Sequence, residues 1–216
     1  MKNRERQVAE KLLQINAIRL NVQTPFTWAS GWKSPVYCDN RRILSFPFVR
    51  DFIKSEMSNL VFETFPEAEL IAGVATGGIA HGALVADQVK LPFAYVRGKA
   101  KGHGLGNRIE GVVEKGARTV VIEDLISTGG SSLDACAALR AAGAEVIGLA
   151  AVFTYGFPVA ETAFQAAGIP FYTLSNYPEM IAEAQSKGVV SEDQMATLAT
   201  WREDPAGWGT ANNGNL

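Results

Sequence analysis

The spacing of apolar residues changes character twice along the chain. Val8, Leu12, Leu13, Ile15 and Ile18 recur at helical spacing, which predicts an amphipathic first helix. Phe48, Phe52, Ile53, Met57, Leu60 and Val61 predict a second. Between them, residues 24–40 are crowded with Pro, Gly, Ser and aromatic side chains, the pattern of short strands and turns. From residue 70 a different rhythm begins, in which a short apolar run leads into a glycine-bearing turn and then a helical stretch. Leu70–Val74 precedes an Ala-rich helix ending near Val89, Pro92–Val96 precedes a Gly- and Lys-rich segment, and Thr119–Ile122 precedes Ser127–Ser131 and a helix through Arg140. Gly143 supplies a helix stop, Val146–Phe153 reads as a buried strand, Val159–Ala167 as a helix and Ile169–Leu174 as a last strand. Strands alternating with helices predict an α/β fold, with a central, mostly parallel sheet flanked by helices on both faces.

The first helix and Ser191–Trp201 stand outside that rhythm and are expected to cap one edge of the sheet, while the Gly- and Asn-rich tail, residues 205–216, is expected to fray. The 216 residues fit one domain, with no repeat or Pro- or Ser-rich linker to divide them. The division expected within it is a hood from about residues 1–45 plus the C-terminal segment, and a core over about 46–175.

Composition narrows the function classes. With 47% hydrophobic and 19% charged residues the chain has the makings of a packed core, which excludes disorder. A net charge of -2 offers no basic field for non-specific binding of nucleic acid or anionic lipid. No apolar run approaches the ~20 residues of a membrane span, and the start, Met1 to Arg6, leads into a mixed polar and apolar helix pattern rather than a signal peptide. Cys38 and Cys136 have neither metal-ligand spacing nor the numbers of a disulfide framework, so a cytoplasmic location is expected, without membrane or nucleic-acid partners.

In open parallel sheets ligands sit beyond the C-terminal ends of the strands, so the turns there are where chemistry is sought. The stretch Val120–Ser132 emerges from its buried strand on two adjacent carboxylates, Glu123 and Asp124, followed by Ser127-Thr128-Gly129-Gly130-Ser131. Ionised carboxylates are pure acceptors suited to a vicinal diol, and a glycine-rich helix start offers backbone N–H groups to an anion. A ribose 5-phosphate carries both groups. A second turn, Ala75-Thr76-Gly77-Gly78, also opens a helix and can hold a second anion. The third feature, Tyr95 to Arg108, is rich in Gly and in cations and reads as a mobile lid that closes on a polyanion. No Lys follows the glycines as a nucleotide-triphosphate loop requires, and Gly102–Asn107 lacks the spacing and the preceding strand of a dinucleotide fingerprint. His81, in the helix after Gly78, is read as a structural histidine.

Taken together, Val120–Ser132 resembles the phosphoribosyl pyrophosphate (PRPP) signature of the type I phosphoribosyltransferases, and Arg97–Gly106 resembles the catalytic loop of the orotate phosphoribosyltransferases. Thr27–Arg41 resembles that family's N-terminal substrate segment. The resemblance implies the type I phosphoribosyltransferase fold and the joining of orotate to PRPP, giving orotidine 5-monophosphate and pyrophosphate in pyrimidine synthesis. It puts Glu123 and Asp124 on the ribose hydroxyls and Leu125, Ile126, Ser127, Thr128, Gly129, Gly130 and Ser131 along PRPP, with 127–131 around the 5-phosphate. Thr76, Gly77 and Lys33 fall along the diphosphate, and Arg97, Lys101 and His103 reach it from the lid. Lys101, His103 and Asp124 take the catalytic roles, while Ser127, Lys33 and Phe26 contact orotate under a hood that includes Ser34 and Tyr37. Mg2+ is implied as cofactor, held mainly by PRPP oxygens rather than by a protein metal site, and a homodimer with shared active sites is implied as the assembly.

Two departures stand out. Gly98 occupies a position where many relatives carry a second lysine, and Thr154-Tyr155-Gly156-Phe157 stands where some carry an arginine for the orotate carboxylate. Backbone amides of the hood are then expected to receive that carboxylate. A purine phosphoribosyltransferase would share the phosphate machinery but not the segment from Phe26 to Arg41. A PRPP-sensing regulator would need a nucleic-acid module that this sequence does not display.

Overall fold

The computed structural model describes residues 3–28, 31–98 and 108–208. The helix α1 (Arg4–Gln14) leads into four short strands, β1 (Ile18–Leu20), β2 (Phe26–Thr27), β3 (Lys33–Ser34) and β4 (Val36–Cys38), and a 3-10 turn at Asn40–Ser45. There follow α2 (Pro47–Thr64), β5 (Leu70–Val74), α3 (Gly77–Val89), β6 (Phe93–Val96), β7 (Ile109–Glu110), β8 (Arg118–Ile126) and α4 (Gly130–Ala141). The chain continues through β9 (Glu145–Thr154), α5 (Pro158–Ala167), β10 (Phe171–Asn176), α6 (Tyr177–Ser186) and α7 (Glu192–Glu203). No helix among the described residues is long and apolar enough to cross a membrane.

The apolar runs come together in a six-stranded sheet of order β10-β9-β8-β5-β6-β7, parallel throughout except for β7, which runs antiparallel to β6 at the edge. Because side chains alternate across a strand, each run feeds two cores. Ile71, Val120, Ile122, Ala150 and Val152 face one layer with Val8, Leu12, Ile53, Met57, Val85 and Met180 from α1, α2, α3 and α6. Leu70, Ala72, Val121, Leu149 and Ala151 face the other, with Ala135, Leu139 and Phe164 from α4 and α5. The α/β sheet flanked by helices is thus the architecture that the periodicity predicts.

Glycines set how closely α3 approaches the sheet. A Cβ on Gly73 would lie 2.8 Å from the Gly78 carbonyl, and one on Gly82 would lie 2.8 Å from the Phe93 ring. The N- and C-terminal segments pack together at the β10 side. Arg6 of α1 donates to Glu183 of α6 at 2.8 Å, and Glu183 is fully buried. Trp28 packs its ring 5.0 Å from Tyr155 and 5.9 Å from Trp201 of α7.

Several elements depart from the periodicity reading, among them β7, which no apolar run announces, and β8, which runs past Ile122 to Ile126. The first helix stops at Gln14, because Asn16 adopts a left-handed φ of 54°, and Ile18 instead starts β1 opposite Cys38. The last strand begins at Phe171 rather than Ile169. Helix α6 was not foreseen, although Asn176 caps it by accepting from the Glu179 N–H at 3.0 Å, and Tyr177, Met180, Ile181 and Ala184 form its buried stripe.

Candidate active site

Strand β8 runs on through Glu123 and Asp124 to Ile126, so both acids lie inside the strand end and not in the turn beyond it. Pairing with β5 stops at Gly73 opposite Ile122, while pairing with β9 continues to Ile126. The acids therefore stand where the sheet narrows and opens a cleft of about 370 Å³. Its lining includes Thr76, Gly77, Glu123, Asp124, Leu125 and Ser131 from the residues expected at the site, joined by Cys38, Asp39, Arg41 and Ala75.

The two carboxylates are held differently. Glu123 is 4% exposed, and its oxygens accept from the Ser132 hydroxyl and the Asp124 N–H, each at 3.0 Å. Burial, and then the charge of Asp124, push its carboxyl well above the ordinary carboxylate range. Asp124 is only half-buried. Gly77 lies against it so closely that an added Cβ would overlap the carboxylate. The repulsion between the adjacent acids thus falls on the buried Glu123, and the Ser132 and backbone donors around it offset only part of it.

The N-termini of α3 and α4 frame this pair. Neither has a side-chain cap, and neither begins with proline. Of the other described helices, Asn3 and Asn176 cap α1 and α6 and the Ser191 N–H meets Gln194 in the capping box of α7, while α2 and α5 also lack a side-chain cap and carry proline in the first turn, which removes one donor. Gly129 enters α4 at φ 82°, a left-handed backbone that glycine adopts without strain, and a Cβ on Gly130 would meet open space. Two open N–H clusters thus bracket two acids.

Other expected site residues lie elsewhere or remain to be placed. Lys33 donates to the Thr27 hydroxyl at 2.8 Å within the β2–β3 hairpin. Phe26 lies 5.5 Å from the Tyr37 ring, and Arg19 stacks over both. Arg97 pairs with Glu110 at 3.4 Å across the β6–β7 edge. The Arg97 N–H donates to the Arg108 carbonyl at 2.8 Å, joining the two feet of the Gly- and Lys-rich segment. Lys101 and His103 fall outside the described residues, as does the body of the expected lid, residues 99–107. His81 is buried in α3, its Nε2 has no hydrogen-bond partner among the described residues, and burial lowers its pKa against the opposing pull of Asp124. It is structural in place but not fully satisfied.

The sequence reading did not single out Cys38, Asp39, Asn40 or Arg41, although all four lie in the segment that carries the resemblance. Asp39 accepts from Arg41 Nε at 2.6 Å, which puts a paired guanidinium in the cleft wall where no cation was anticipated. A second cation unforeseen from sequence, Arg202 of α7, donates to the Gly156 carbonyl at 3.3 Å. Desolvation raises the Cys38 thiol well above its ordinary value, which keeps it neutral rather than nucleophilic.

Comparison with known proteins agrees with this geometry. The phosphoribosyl transferase domain family matches residues 49–162, the stretch that builds both open helix starts and the acid pair. The family match, over the sheet with its acid pair between two glycine turns, therefore defines a phosphoribosyltransferase. The chain is 58% identical over 210 residues to the orotate phosphoribosyltransferase of Bacteroides fragilis, covering 97% of this chain and 99% of that one. It is 56% identical to that of Bacillus subtilis, covering 92% of each. Among solved structures, orotate phosphoribosyltransferase from Aeropyrum pernix superposes with a TM-score of 0.74 at 26% identity, over 85% of this chain and 99% of that one. Leishmania donovani UMP synthase superposes with a TM-score of 0.77 at 25% identity, over 91% of this chain and 42% of that one. The chain belongs to the orotate phosphoribosyltransferase family.

Proposed function

We propose that the cleft transfers the phosphoribosyl group of PRPP to orotate, giving orotidine 5-monophosphate and pyrophosphate in pyrimidine synthesis. The observation that carries this reading is the pair of open helix N-termini, α3 and α4, on either side of Glu123 and Asp124. In this reading the 5-phosphate lies on residues 127–131 at the start of α4, the ribose hydroxyls donate to the two acids, and the diphosphate lies over Thr76 and Gly77 at the start of α3. The bond from C1 of the ribose to the diphosphate oxygen breaks as the bond from C1 to an orotate ring nitrogen forms. Positive charge develops on the ribose beside Asp124, and negative charge on the departing diphosphate meets the α3 amides, Arg97, Lys101 and His103. Orotate sits against Ser127, with Lys33 and Phe26 approaching from the N-terminal hairpin.

Among the described residues no three His, Cys, Asp or Glu side chains cluster to hold a metal ion, although Asp39, Glu123 and Asp124 all line the cleft. Mg2+ fits here as an ion carried on the diphosphate oxygens, where it supplies charge neutralisation. We also place the protein in the cytoplasm and assign it a homodimer in which the lid of one subunit serves the cleft of the other.

Purified protein with PRPP and Mg2+ should release pyrophosphate with orotate and not with adenine, guanine or uracil; preference for a purine would overturn the assignment. For the shared site, Asp124→Asn protein mixed with Lys101→Ala protein should recover part of the lost activity. No recovery after proven subunit exchange would refute it.

A further inference from the structure

Asn40 lies behind the cleft with no exposed surface, and its partners come from three parts of the chain. Its Nδ2 donates to the Asp124 carbonyl at 2.6 Å, and its Oδ1 accepts from the Cys38 thiol at 3.4 Å. Its backbone also hydrogen-bonds the buried His81 imidazole of α3. The amide is thus oriented from both ends, and only a side chain with one donor and one acceptor serves both neighbours.

Its position relative to the sheet explains why such a tether matters. Pairing with β5 has ended at Ile122, so one flank of β8 at Asp124 has no strand neighbour. The Asp124 carbonyl belongs to the peptide that follows the acid, and rotation of that peptide swings the direction in which the side chain leaves the strand. Gly77 closes the space on one side of the carboxylate. Ser132 performs the corresponding service for Glu123, directly on the carboxylate.

We propose that Asn40 is a positioning residue for Asp124, fixing from the N-terminal segment the acid that grips the ribose. This rests on the reading of Asp124 as a ribose ligand given above. Asn40 touches no reacting atom in this scheme. A buried carbonyl that loses its donor seeks another by shifting, and a displacement of about 1 Å at a reacting group can cost on the order of 100-fold in rate.

The test compares Asn40→Ala, Asn40→Ser and the nearly isosteric Asn40→Asp with the parent and with Asp124→Asn, in steady-state kinetics for both substrates and in thermal melts. Loss of the donor in Asn40→Ala and Asn40→Asp should raise KM for PRPP or lower kcat/KM for PRPP by about 10- to 100-fold, with KM for orotate changed less than about threefold. Asn40→Ser, which keeps a neutral donor, should recover part of that loss relative to Asn40→Ala. Parent-like PRPP kinetics in folded Asn40→Ala or Asn40→Asp would overturn the proposal. So would equal losses in Asn40→Ala and Asn40→Ser, or equal rises in KM for both substrates, since a purely structural role predicts these. Should Asn40→Ala fail to fold, Asn40→Asp carries the comparison at unchanged volume. If Asp124→Asn is crippled while the Asn40 variants are not, this inference alone fails; if Asp124→Asn is itself parent-like, the ribose reading falls and takes this one with it.

Discussion

The two glycine turns of the cleft look alike in sequence and differ in what their glycines are for. In the turn after β5, a Cβ on Gly77 would overlap the Asp124 carboxylate, and one on Gly78 would overlap the Ile122 carbonyl. Those glycines exist because another strand is already there. In the turn after β8, Gly129 is required by its φ of 82° and by the Phe164 ring 2.8 Å from where its Cβ would be, while Gly130 faces open space. The first turn is packed tightly against β8 on the side of its glycines, while the second is left free at Gly130. A glycine pair at a helix start therefore has two possible causes, close packing and room for a ligand, and the two respond differently to one added methyl group.

The largest effect expected is on Gly78→Ala, where the clash is with backbone that cannot swing aside. Overpacking of this kind costs about 3 kcal/mol or more, roughly 6–12 °C of melting temperature in a chain of this size. A thermal melt matching the parent would break the close-packing half of the comparison. Gly77→Ala displaces a side chain instead, so its damage should fall on catalysis. We expect kcat/KM for PRPP to fall by about 100-fold, with a smaller loss of melting temperature, and parent-like kinetics would separate Gly77 from Asp124. Gly130→Ala should do the reverse of Gly78→Ala. Its melting temperature should hold or rise slightly, since alanine is favoured over glycine in a helix by up to about 1 kcal/mol. KM for PRPP should nevertheless rise about tenfold as the methyl group enters the phosphate's space; an unchanged KM would mean that no ligand approaches there.

The smallest expected effect sharpens the contrast between the acids. The folded-state pKa of Glu123 is raised by burial and by Asp124, so the unfolded chain releases its proton first as pH rises above the ordinary value near 4.5. The stability this group contributes is complete below that value and is lost as pH climbs toward the raised pKa. Glu123→Gln removes the slope while keeping the shape and, through its amide, the contacts to Ser132 and the Asp124 N–H. Its melting temperature should therefore exceed the parent's by a few degrees at pH 8 and approach it at pH 5, even as activity falls. His81 has the opposite slope, losing stability as pH falls below about 6.5, but it is common to both proteins and cancels in their difference. A constant gap between the two melting curves would show that Glu123 is not titrating as its burial requires.

Much of this was legible in the chain itself, for local reasons. Apolar periods of two and 3.6 set the strands and helices of the core, and alternation of the two set a parallel sheet with both faces covered. Strands that continue into glycine turns, with carboxylates at the end of one, marked two of the three walls of the cleft. What stayed hidden were features whose cause lies far away in sequence. Asn16 ended α1 early through a backbone conformation that no apolar pattern encodes. Cys38, Asp39 and Arg41 became cleft residues because the N-terminal segment folds back onto the end of β8, which no local spacing announces.

The sequence by itself determined most of the element types in the α/β core, its layered architecture and the presence of a diol-and-phosphate signature, because each follows from residues adjacent along the chain. The strand order β10-β9-β8-β5-β6-β7, the pairing of the two open helix starts across the acids, and the Asn40 tether were decided only by tertiary structure. The physical reason is that close packing compares distant segments with one another: whether a glycine makes room for a carbonyl or for a phosphate depends on what the rest of the chain has brought beside it.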